Sequence, residues 1–155
     1  MKHLAQVNIG RVLGGPDDPR MADFYNNLAR VNAMAERMPG FVWRLKDDTG
    51  ESAMALHWPG DTSMAVNMSV WESPEALETF VFKTMHRKIY ARKHEFFETP
   101  KEITVAMWWV DVGHIPTLDE AKEHLDHLRS HGPSEFAFGW ADLPAAKIWQ
   151  QKRCA

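Results

Sequence analysis

Side-chain amides alternate with apolar residues near the start of this 155-residue chain. Residues 4–12 are predicted to form a β-strand, in which successive side chains lie on opposite faces. Gln6 and Asn8 therefore share one face, and Ala5 and Val7 share the other. Amides placed in this way can donate hydrogen bonds to a developing oxyanion or to a bound oxygen species, or they can pair across a dimer seam. Both interpretations stay open.

A second polar face is predicted in the strand at residues 63–71. Asn67, Ser69 and Trp71 share one face of this strand, whereas its other face is apolar. A sheet face that offers amides, a hydroxyl and an indole, with no Lys or Glu in its middle, is typical of a pocket lining or of a dimer interface. We therefore expect the apolar face to meet the helices and the polar face to line a pocket or an interface.

Large aromatic side chains are candidates for binding a planar substrate. Trp43, Trp71 and Trp108 could stack on such a molecule, although Trp is also a common anchor of buried interfaces. Phe80, in the apolar stripe of the second predicted helix, is a further substrate-binding candidate. We predict a single cavity between the sheet and this helix, lined by Gln6, Asn8, Trp43, Asn67, Trp71 and His86.

His86 is the candidate acid–base residue. It lies about half a turn from Leu77 around the predicted helix, on the side of Phe82 and Tyr90 rather than on the main apolar stripe. Histidine titrates near neutral pH and also ligates haem iron. His86 could therefore shuttle a proton or bind haem, and a surface or packing role is the alternative.

A stripe of histidines on the last predicted helix imitates the spacing of metal ligands. His124, His127 and His131 are three and four residues apart, but the stripe flanks an apolar face, where amphipathic boundary residues commonly lie. A catalytic zinc or iron site needs about three ligands that converge on one point. These imidazoles lie outside the predicted cavity, so we predict no metal held by amino-acid ligands alone.

The predicted elements follow the order β-α-β-β-α-β, and a further helix and an aromatic tail come after them. Asp18 and Ser73 are N-caps, each followed by Pro at the first helical position, and the second helix has a possible break. Residues 41–46 and 63–71 could pair as a hairpin, and a capping box at Thr117 begins the last helix. This order predicts a ferredoxin-like split βαβ sandwich of the α+β class.

Composition limits the class of protein. Hydrophobic residues make up 45% and charged residues 25%, which predicts a globular chain. We expect residues 1–155 to form a single domain, with a core at about 3–112 and an extension at about 113–155. A net charge of -3 gives a nucleic-acid partner no electrostatic support. The chain has one cysteine, Cys154, and no stretch that approaches 18 consecutive apolar residues. These features predict a soluble, cytoplasmic protein with no membrane span.

Several motifs resemble known proteins. The segment Val-Trp-Glu-Ser-Pro-Glu-Ala-Leu at residues 70–77, with Phe80 and His86, resembles the dimeric α/β-barrel superfamily that includes the antibiotic-biosynthesis monooxygenases. A longer set of motifs is similar to a bacterial family of unknown function within it. This set comprises residues 3–8, residues 39–45, Trp108-Trp109, Gly113-His114, His131-Gly132-Pro133 and Ala137-Phe138.

The resemblance implies a homodimer whose two sheets pack face to face. Members of the superfamily include quinone-forming oxygenases that use no cofactor, haem-degrading enzymes, haem peroxidases, dismutases and lactone isomerases. Of the residues that carry the site in the haem-degrading branch, Asn8 matches, Phe80 stands where a Trp is expected, and His86 comes about one turn too early. The resemblance also implies a structural hydrogen bond from His114 between strand and helix.

Two functions are compatible with these features. One is an enzyme of monooxygenase or isomerase type that acts on a small planar hydrophobic substrate, with His86 as acid–base and Asn8 as hydrogen-bond donor. The alternative is a non-catalytic protein that binds haem or another small aromatic molecule, in which His86 is at most a ligand.

Overall fold

One antiparallel sheet organises the chain in the computed structural model, which describes residues 1–48, 56–84 and 86–143. Its strand order is β2-β3-β1-β4. The strands are β1 (Lys2–Arg11), β2 (Phe41–Arg44), β3 (Met64–Trp71) and β4 (Val105–Asp111). Because β3 lies between β1 and β2, this is the split arrangement of a ferredoxin-like fold, and the predicted α+β class is confirmed.

The predicted helices are confirmed, and their ends follow from capping chemistry. They are α1 (Ala22–Arg37), α2 (Pro74–Lys83), α3 (His86–Ala91), α4 (Lys93–Phe96) and α5 (Leu118–His131). The Asp18 carboxylate caps a short 3₁₀ turn that leads into α1, and the hydroxyls of Ser73 and Thr117 accept backbone N–H groups at the starts of α2 and α5. Since α2, α3 and α4 replace one long helix, the possible break is also confirmed.

The two faces of the sheet are covered by different helices. Ala5, Val7 and Ile9 belong to a core that includes Ala121 and Leu125 of α5, and we call this side the α5 face. Leu4 and Trp71 belong to a second core with Ala35 of α1 and Leu77 of α2, and we call this side the α1/α2 face.

The apolar strand face was expected to meet the helices, and α5 does cover it, but α1 and α2 cover the polar face instead. Gln6 and Asn8 share the α1/α2 face with Leu4, because side chains two residues apart on a strand lie on the same face. The apolar stripe of α5 needs an apolar surface of its own, and it takes the Ala5 and Val7 side. Alternation separates two faces but does not say which helix covers each.

Burial within the single chain bears on the predicted homodimer. On the α5 face, Ala5, Val7 and Ala106 are 0% exposed. A second sheet is not needed to cover this face, so packing of two sheets face to face has no uncovered surface to bury there. The homodimer stays a prediction that rests on the resemblance, and its interface would have to use other surfaces.

Residues 133–143, here called the strap, run along the outer edge of β4. Phe138 and Met107 exchange two backbone hydrogen bonds of 2.7 and 3.0 Å. Ala137 is buried in the core beneath α5, whereas Phe138 and Leu143 are buried in the core of the α1/α2 face. The strap therefore joins the two layers around the edge of the sheet.

In the part of the chain that the structure describes, no helix has the length and apolar character needed to cross a membrane. Cys154 lies outside the described residues.

Replacing Leu125 by Ala tests the coverage of the α5 face. The side chain is 0% exposed, and buried Leu→Ala changes cost about 2–5 kcal/mol because they leave a cavity. We expect Leu125→Ala to lower the free energy of unfolding by this amount in urea denaturation. Leu13→Ala, at a side chain 40% exposed, is the control and should change it by less than about 0.5 kcal/mol. Wild-type stability in Leu125→Ala would show that α5 does not cover the sheet.

Candidate functional site

A row of polar side chains crosses β1 and β3 on the α1/α2 face. We call it the polar row, and it consists of Asn8, Asn67, Gln6, Ser69 and Trp71. Gln6 lies opposite Ser69, and Asn8 lies opposite Asn67, in the antiparallel ladder, so their side chains share a face. The structure thus brings together Gln6, Asn8, Asn67 and Trp71 from the set predicted to line one cavity.

Hydrogen bonds connect the whole polar row. Gln6 Nε2 donates to Asn67 Oδ1 and to Ser69 Oγ, both at 2.8 Å. Trp71 Nε1 donates to the same Ser69 oxygen at 2.8 Å, and Asn8 Nδ2 reaches Asn67 Oδ1 at 3.4 Å. Ser69 Oγ thus accepts twice, and none of the described groups accepts its hydroxyl hydrogen.

The polar row leads from the surface into the core. Asn8 and Asn67 are exposed, whereas Gln6 is 5%, Ser69 6% and Trp71 1% exposed. Buried polar groups are expensive unless they are hydrogen-bonded, and the row pairs the buried N–H groups of Gln6 and Trp71 internally.

Two apolar clusters flank the polar row. The Trp71 cluster contains Leu4, Trp71, Leu77, Phe80 and Val81, and the Phe24 cluster contains Met21, Phe24 and Phe96. The Trp71 cluster is part of the core of the α1/α2 face. The Phe24 cluster lies on the same face, because a Cβ at Gly10, which would share the face of Gln6 and Asn8, would stand 2.7 Å from the Phe97 ring. The centroid of the Phe97 ring lies 5.2 Å from that of Phe24. The face of β1 therefore runs from apolar Leu4, through two amides, to Gly10 beneath an aromatic ring.

Helices α1 and α3 connect the two clusters. In α1, Leu28 packs against the Phe24 cluster and Val31 against the Trp71 cluster. In α3, Ile89 packs against the Phe24 cluster and Tyr90 against the Trp71 cluster. Both helices therefore span the two clusters on the face of the sheet that carries the polar row.

Two of the predicted aromatic candidates lie on the other side of the sheet. Trp43 and Trp108 pack in the core of the α5 face. The grouping of Trp43 with the polar row in one cavity was therefore wrong, and Trp108, a separate candidate for stacking on a substrate, lies on the face opposite the row. An irregularity in β2 places Phe41 opposite Trp71 but Trp43 opposite Val70, which turns Trp43 to the other face. Trp108 pairs with Ala5, and this register puts it beneath α5.

The Phe80 ring lies beside the polar row, whereas the position of the His86 side chain is not described. The Phe80 ring stacks on Trp71 with centroids 5.4 Å apart, so it covers the deep end of the polar row. His86 begins α3, but its side chain lies outside the described residues. The acid–base role of His86 stays a prediction.

His114 makes the hydrogen bond that the resemblance implied. Its Nε2 lies 2.6 Å from one carboxylate oxygen of Glu120, and Trp108 Nε1 donates to the other at 3.0 Å. Glu120 belongs to α5 and Trp108 to β4. The interaction links strand to helix, so this expectation is confirmed.

The histidine stripe of α5 packs against aromatic rings. His124 lies between Trp108 and Phe136, at centroid distances of 4.6 and 4.1 Å, and burial lowers its pKa. His127 stacks on His131 at 4.5 Å. No group of three or more His, Cys, Asp or Glu that could hold a metal ion occurs among residues 1–48, 56–84 and 86–143.

Glu78 of α2 is a buried carboxyl group that the sequence analysis missed. It is 7% exposed, and its Oε2 has no hydrogen-bond partner in the described part of the chain. Burial raises its pKa, an effect that Lys83 opposes and Glu75 increases. Helical spacing places it between Val81 and Phe82. The available signal was a carboxylate directly beside the apolar stripe of the helix.

An ion-pair network holds two connecting segments against β1 near the exposed end of the polar row. Arg11, at the end of β1, pairs with Asp61 at 2.9 Å and with Glu98 at 3.4 Å, and it also donates to Ser63. Hydrogen bonds from Ser63 and Arg11 lower the pKa of Asp61 to about 2. This network fixes two connecting segments to β1.

A groove of about 530 Å³ occurs elsewhere, and it is lined by Pro100, Lys101, Glu102, Ile103 and Arg129. None of these residues belongs to the polar row. The predicted cavity over the polar row stays a prediction.

Comparison with protein families identifies the chain. Residues 3–154 match the family described as "Domain of unknown function (DUF3291)", and the chain belongs to this family. None of the curated proteins matches it.

Solved structures with similar architecture are distant in sequence. A conserved protein from Methanosarcina mazei Go1 is 11% identical, with a TM-score of 0.47 over 72% of this chain and 93% of that one. SnoaB, a cofactor-independent oxygenase from Streptomyces nogalater, is 19% identical, with a TM-score of 0.45 over 70% and 92%. A monooxygenase of Streptomyces coelicolor, in complex with nanaomycin D, is 19% identical, with a TM-score of 0.38 over 75% and 93%.

Removing the Ser69 hydroxyl tests the hydrogen bonding of the polar row. Ser69→Ala leaves the N–H groups of Trp71 and Gln6 buried without this acceptor, and an unpaired buried group costs about 1–3 kcal/mol. We expect the free energy of unfolding to fall by that amount in urea denaturation. Ser130→Ala, at an exposed position of α5, should stay within about 0.5 kcal/mol of wild type. Equal effects of the two changes would contradict the network.

Replacing Glu78 by Gln tests the buried carboxyl group. A pKa raised above the ordinary 4.5 means that Glu78 favours the folded state below that pH and loses this contribution as pH rises through the folded value. We therefore expect Glu78→Gln to be more stable than wild type at pH 7, with a smaller gain at pH 4, in urea denaturation. Glu72→Gln, at an exposed carboxylate, should show no such pH dependence. An equal gain at both pH values would contradict the account.

Proposed function

We propose that the chain is a small-molecule enzyme of monooxygenase or isomerase type, acting on a small planar hydrophobic substrate at the polar row. The observation that carries the proposal is the position of the row, which places hydrogen-bonding groups between the Trp71 and Phe24 clusters. Ligand sites commonly combine apolar walls with a few precisely placed polar groups. The substrate would lie between the sheet and helices α1 to α3.

The chemistry of the polar row favours an uncharged substrate. Its groups are three amides, a hydroxyl and an indole, with no ionisable side chain. An unpaired charge brought beside them would lose its hydration without gaining a partner. The Ser69 hydroxyl can donate to a substrate oxygen, and the Gln6 carbonyl oxygen can accept a hydrogen bond. A flat molecule with one hydroxyl or carbonyl edge fits this set of groups.

A single first step would serve both reaction types. A C–H proton next to the substrate carbonyl passes to an acid–base group, and the electron pair of that bond is delocalised onto the carbonyl oxygen. Hydrogen bonds from Ser69 and Asn8 would stabilise the resulting oxyanion. An isomerase returns the proton to another carbon. In a monooxygenase the carbanion, on a carbon that carries a second hydrogen, adds to O₂; the peroxide takes up the proton, and the hydroperoxide loses water to leave a carbonyl group at that carbon. His86 is the proposed proton acceptor.

The haem-binding alternative depends on His86. The polar row offers amides, a hydroxyl and an indole, none of which is an ordinary axial ligand of haem iron. When bound, haem would supply redox chemistry at iron, and His86 is the residue proposed to hold it. A Soret band on addition of haemin that disappears in His86→Ala would favour this alternative.

Binding of 2-naphthol, a planar uncharged molecule with one hydroxyl group, tests the proposed site. We expect it to shift the side-chain NH₂ signals of Gln6 and Asn67 in ¹⁵N NMR spectra, because these amides border the Ser69 hydroxyl. Ser69→Ala should weaken binding about tenfold, since one hydrogen bond is worth about 1.5 kcal/mol. Ser130→Ala is the matched control and should bind like wild type. Shifts confined to the α5 face would contradict the proposed location.

Deuterium exchange at C1 of 2-naphthol in D₂O then separates an enzyme from a binding protein. A deuteron first adds to C1 of the naphtholate and gives the keto tautomer. Loss of the C1 proton next to that carbonyl is then the step common to both proposed reactions, and mass spectrometry detects the deuterium that stays on C1. We expect the protein to accelerate this exchange and Ser69→Ala to slow it by about 10²-fold or more, which is the usual effect of losing an oxyanion donor. Binding at the polar row without accelerated exchange would instead favour the non-catalytic alternative.

A further inference from the structure

A buried arginine continues the polar row onto the edge strand β2. Arg44 lies opposite Ser69 in the ladder between β2 and β3, just as Gln6 lies opposite Ser69 in the ladder between β1 and β3. Arg44 is only 6% exposed, although it is charged. Because paired residues of an antiparallel ladder share a face, Arg44 stands beside the hydroxyl on which the buried hydrogen bonds of the row converge.

Two contacts fix the position of Arg44 relative to the row. Its Nε donates to Glu36 Oε1 of α1 at 2.8 Å, which places it on the α1/α2 face. The Leu45 N–H donates to the Met68 carbonyl oxygen at 2.8 Å. The alternation of an antiparallel ladder therefore makes Arg44 and Ser69 a pair without mutual backbone hydrogen bonds. Such pairs bring their side chains closest together, with Cβ atoms about 4.5–5.5 Å apart.

The charges around Arg44 are unevenly placed. The Glu36 side chain is 36% exposed, whereas that of Arg44 is 6% exposed, and Lys46 lies 3.6 Å from the same Glu36 oxygen. One carboxylate near the surface thus faces two cations, of which Arg44 is the deeper. Hydrogen bonding to Arg44 lowers the pKa of Glu36, so this carboxylate is ionised at neutral pH. Since attraction between charges weakens with distance and with solvent, a group at Ser69 experiences the cation more strongly than the carboxylate.

We propose that Arg44 makes the polar row selective for molecules whose hydroxyl group ionises in the site. The inference rests on the proposed function, which places a substrate oxygen beside Ser69. It narrows the substrate class to planar phenols and enols, which are uncharged in water at neutral pH and are bound as oxyanions. On binding, the O–H bond breaks, its electron pair stays on the oxygen, and the proton passes to solvent water.

The effect depends on the charge of Arg44 rather than on a direct hydrogen bond. An opposite charge within about 4–6 Å lowers the pKa of an acidic group by about 1–3 units, and a buried site screens this attraction less than water does. Ser69 and Asn8 can donate hydrogen bonds to the oxyanion, and Arg44 balances its charge. The row can then hold an anion without the cost of an unpaired buried charge.

A pH titration of bound 2-naphthol tests the proposal. Naphtholate absorbs at longer wavelengths than 2-naphthol and tryptophan do, so absorbance at saturating protein gives the pKa of the bound hydroxyl. We expect this pKa to lie below its value in water by about one unit or more. The ligand control is 2-methoxynaphthalene, which cannot ionise and should bind equally well to wild type and to the Arg44 variants.

Variants separate the charge of Arg44 from its shape. Arg44→Met keeps a long side chain without the charge and should raise the pKa of bound 2-naphthol by about one unit relative to wild type. Arg44→Lys keeps the charge and should stay near wild type. Glu36→Gln removes the neutralising carboxylate and should shift the pKa in the opposite direction, further down. Arg37→Met, at an exposed arginine of α1, is the matched control and should leave the pKa unchanged.

A thiol at the position of Ser69 measures the effect of Arg44 without any ligand. Ser69→Cys places a titratable group there, and Cys154→Ser removes the one native thiol. The ¹³C shift of the cysteine β-carbon reports ionisation of the thiol. Burial raises the thiol pKa whatever stands at position 44, so the comparison is between variants. Adding Arg44→Met should raise this pKa by about one further unit.

The two measurements distinguish failure of the inference from failure of the proposed function. Binding of 2-naphthol at the polar row with a pKa that Arg44→Met leaves unchanged would overturn the role of Arg44 and keep the proposed function. Absence of binding, with a thiol pKa that still depends on Arg44, would contradict the proposed function and the substrate class. A thiol pKa that is equal with and without the arginine would overturn the proposal outright. If Arg44→Met does not fold, the downward shift expected in Glu36→Gln decides.

Discussion

The Ser69 hydroxyl is the acceptor on which the buried part of the polar row depends. It receives hydrogen bonds from Trp71 Nε1 and Gln6 Nε2, both at 2.8 Å, at a position almost inaccessible to water. Trp71 in turn stacks on Phe80 and so fixes α2 against the sheet. Gln6 bonds onward to Asn67 and so reaches the exposed end of the row. One oxygen atom thereby couples the sheet, the helix layer and the surface amides.

Coverage of both sheet faces by one chain limits where a ligand can bind. The α5 face is apolar and fully packed by α5 and Trp58, with no row of hydrogen-bonding groups comparable to that of the other face among the described residues. The α1/α2 face has apolar cover at both ends of β1 and polar groups between. A site for a small molecule is therefore expected on the α1/α2 face, with the strap as its neighbour at the edge of β4.

Local chemistry explains which features could be predicted from the sequence. Asp18, Ser73 and Thr117 cap helices through hydrogen bonds within three residues, so the sequence nearby contains the whole signal. Alternation along β1 and β3 likewise separated Gln6 and Asn67 from their apolar neighbours. The element order was then enough for the ferredoxin-like class.

Non-local packing explains what could not be predicted. The choice of helix for each sheet face depends on how α5 folds back over β1, which no local pattern contains. The irregularity between Phe41 and Trp43 reverses the side of one tryptophan. The pairing of Phe138 with Met107 joins residues far apart in the chain, and burial of Glu78 follows from its tertiary surroundings.

The most direct test of the central claim is an NMR measurement of proton–proton contacts from the Gln6 side-chain NH₂ group. If the polar row lies on the α1/α2 face, nuclear Overhauser effects will connect this group to the Ser69 β-protons, and the Trp71 indole N–H will show contacts with the Phe80 ring. Contacts from the Gln6 NH₂ group to Leu125 of α5 instead would place the row on the opposite face and contradict the account.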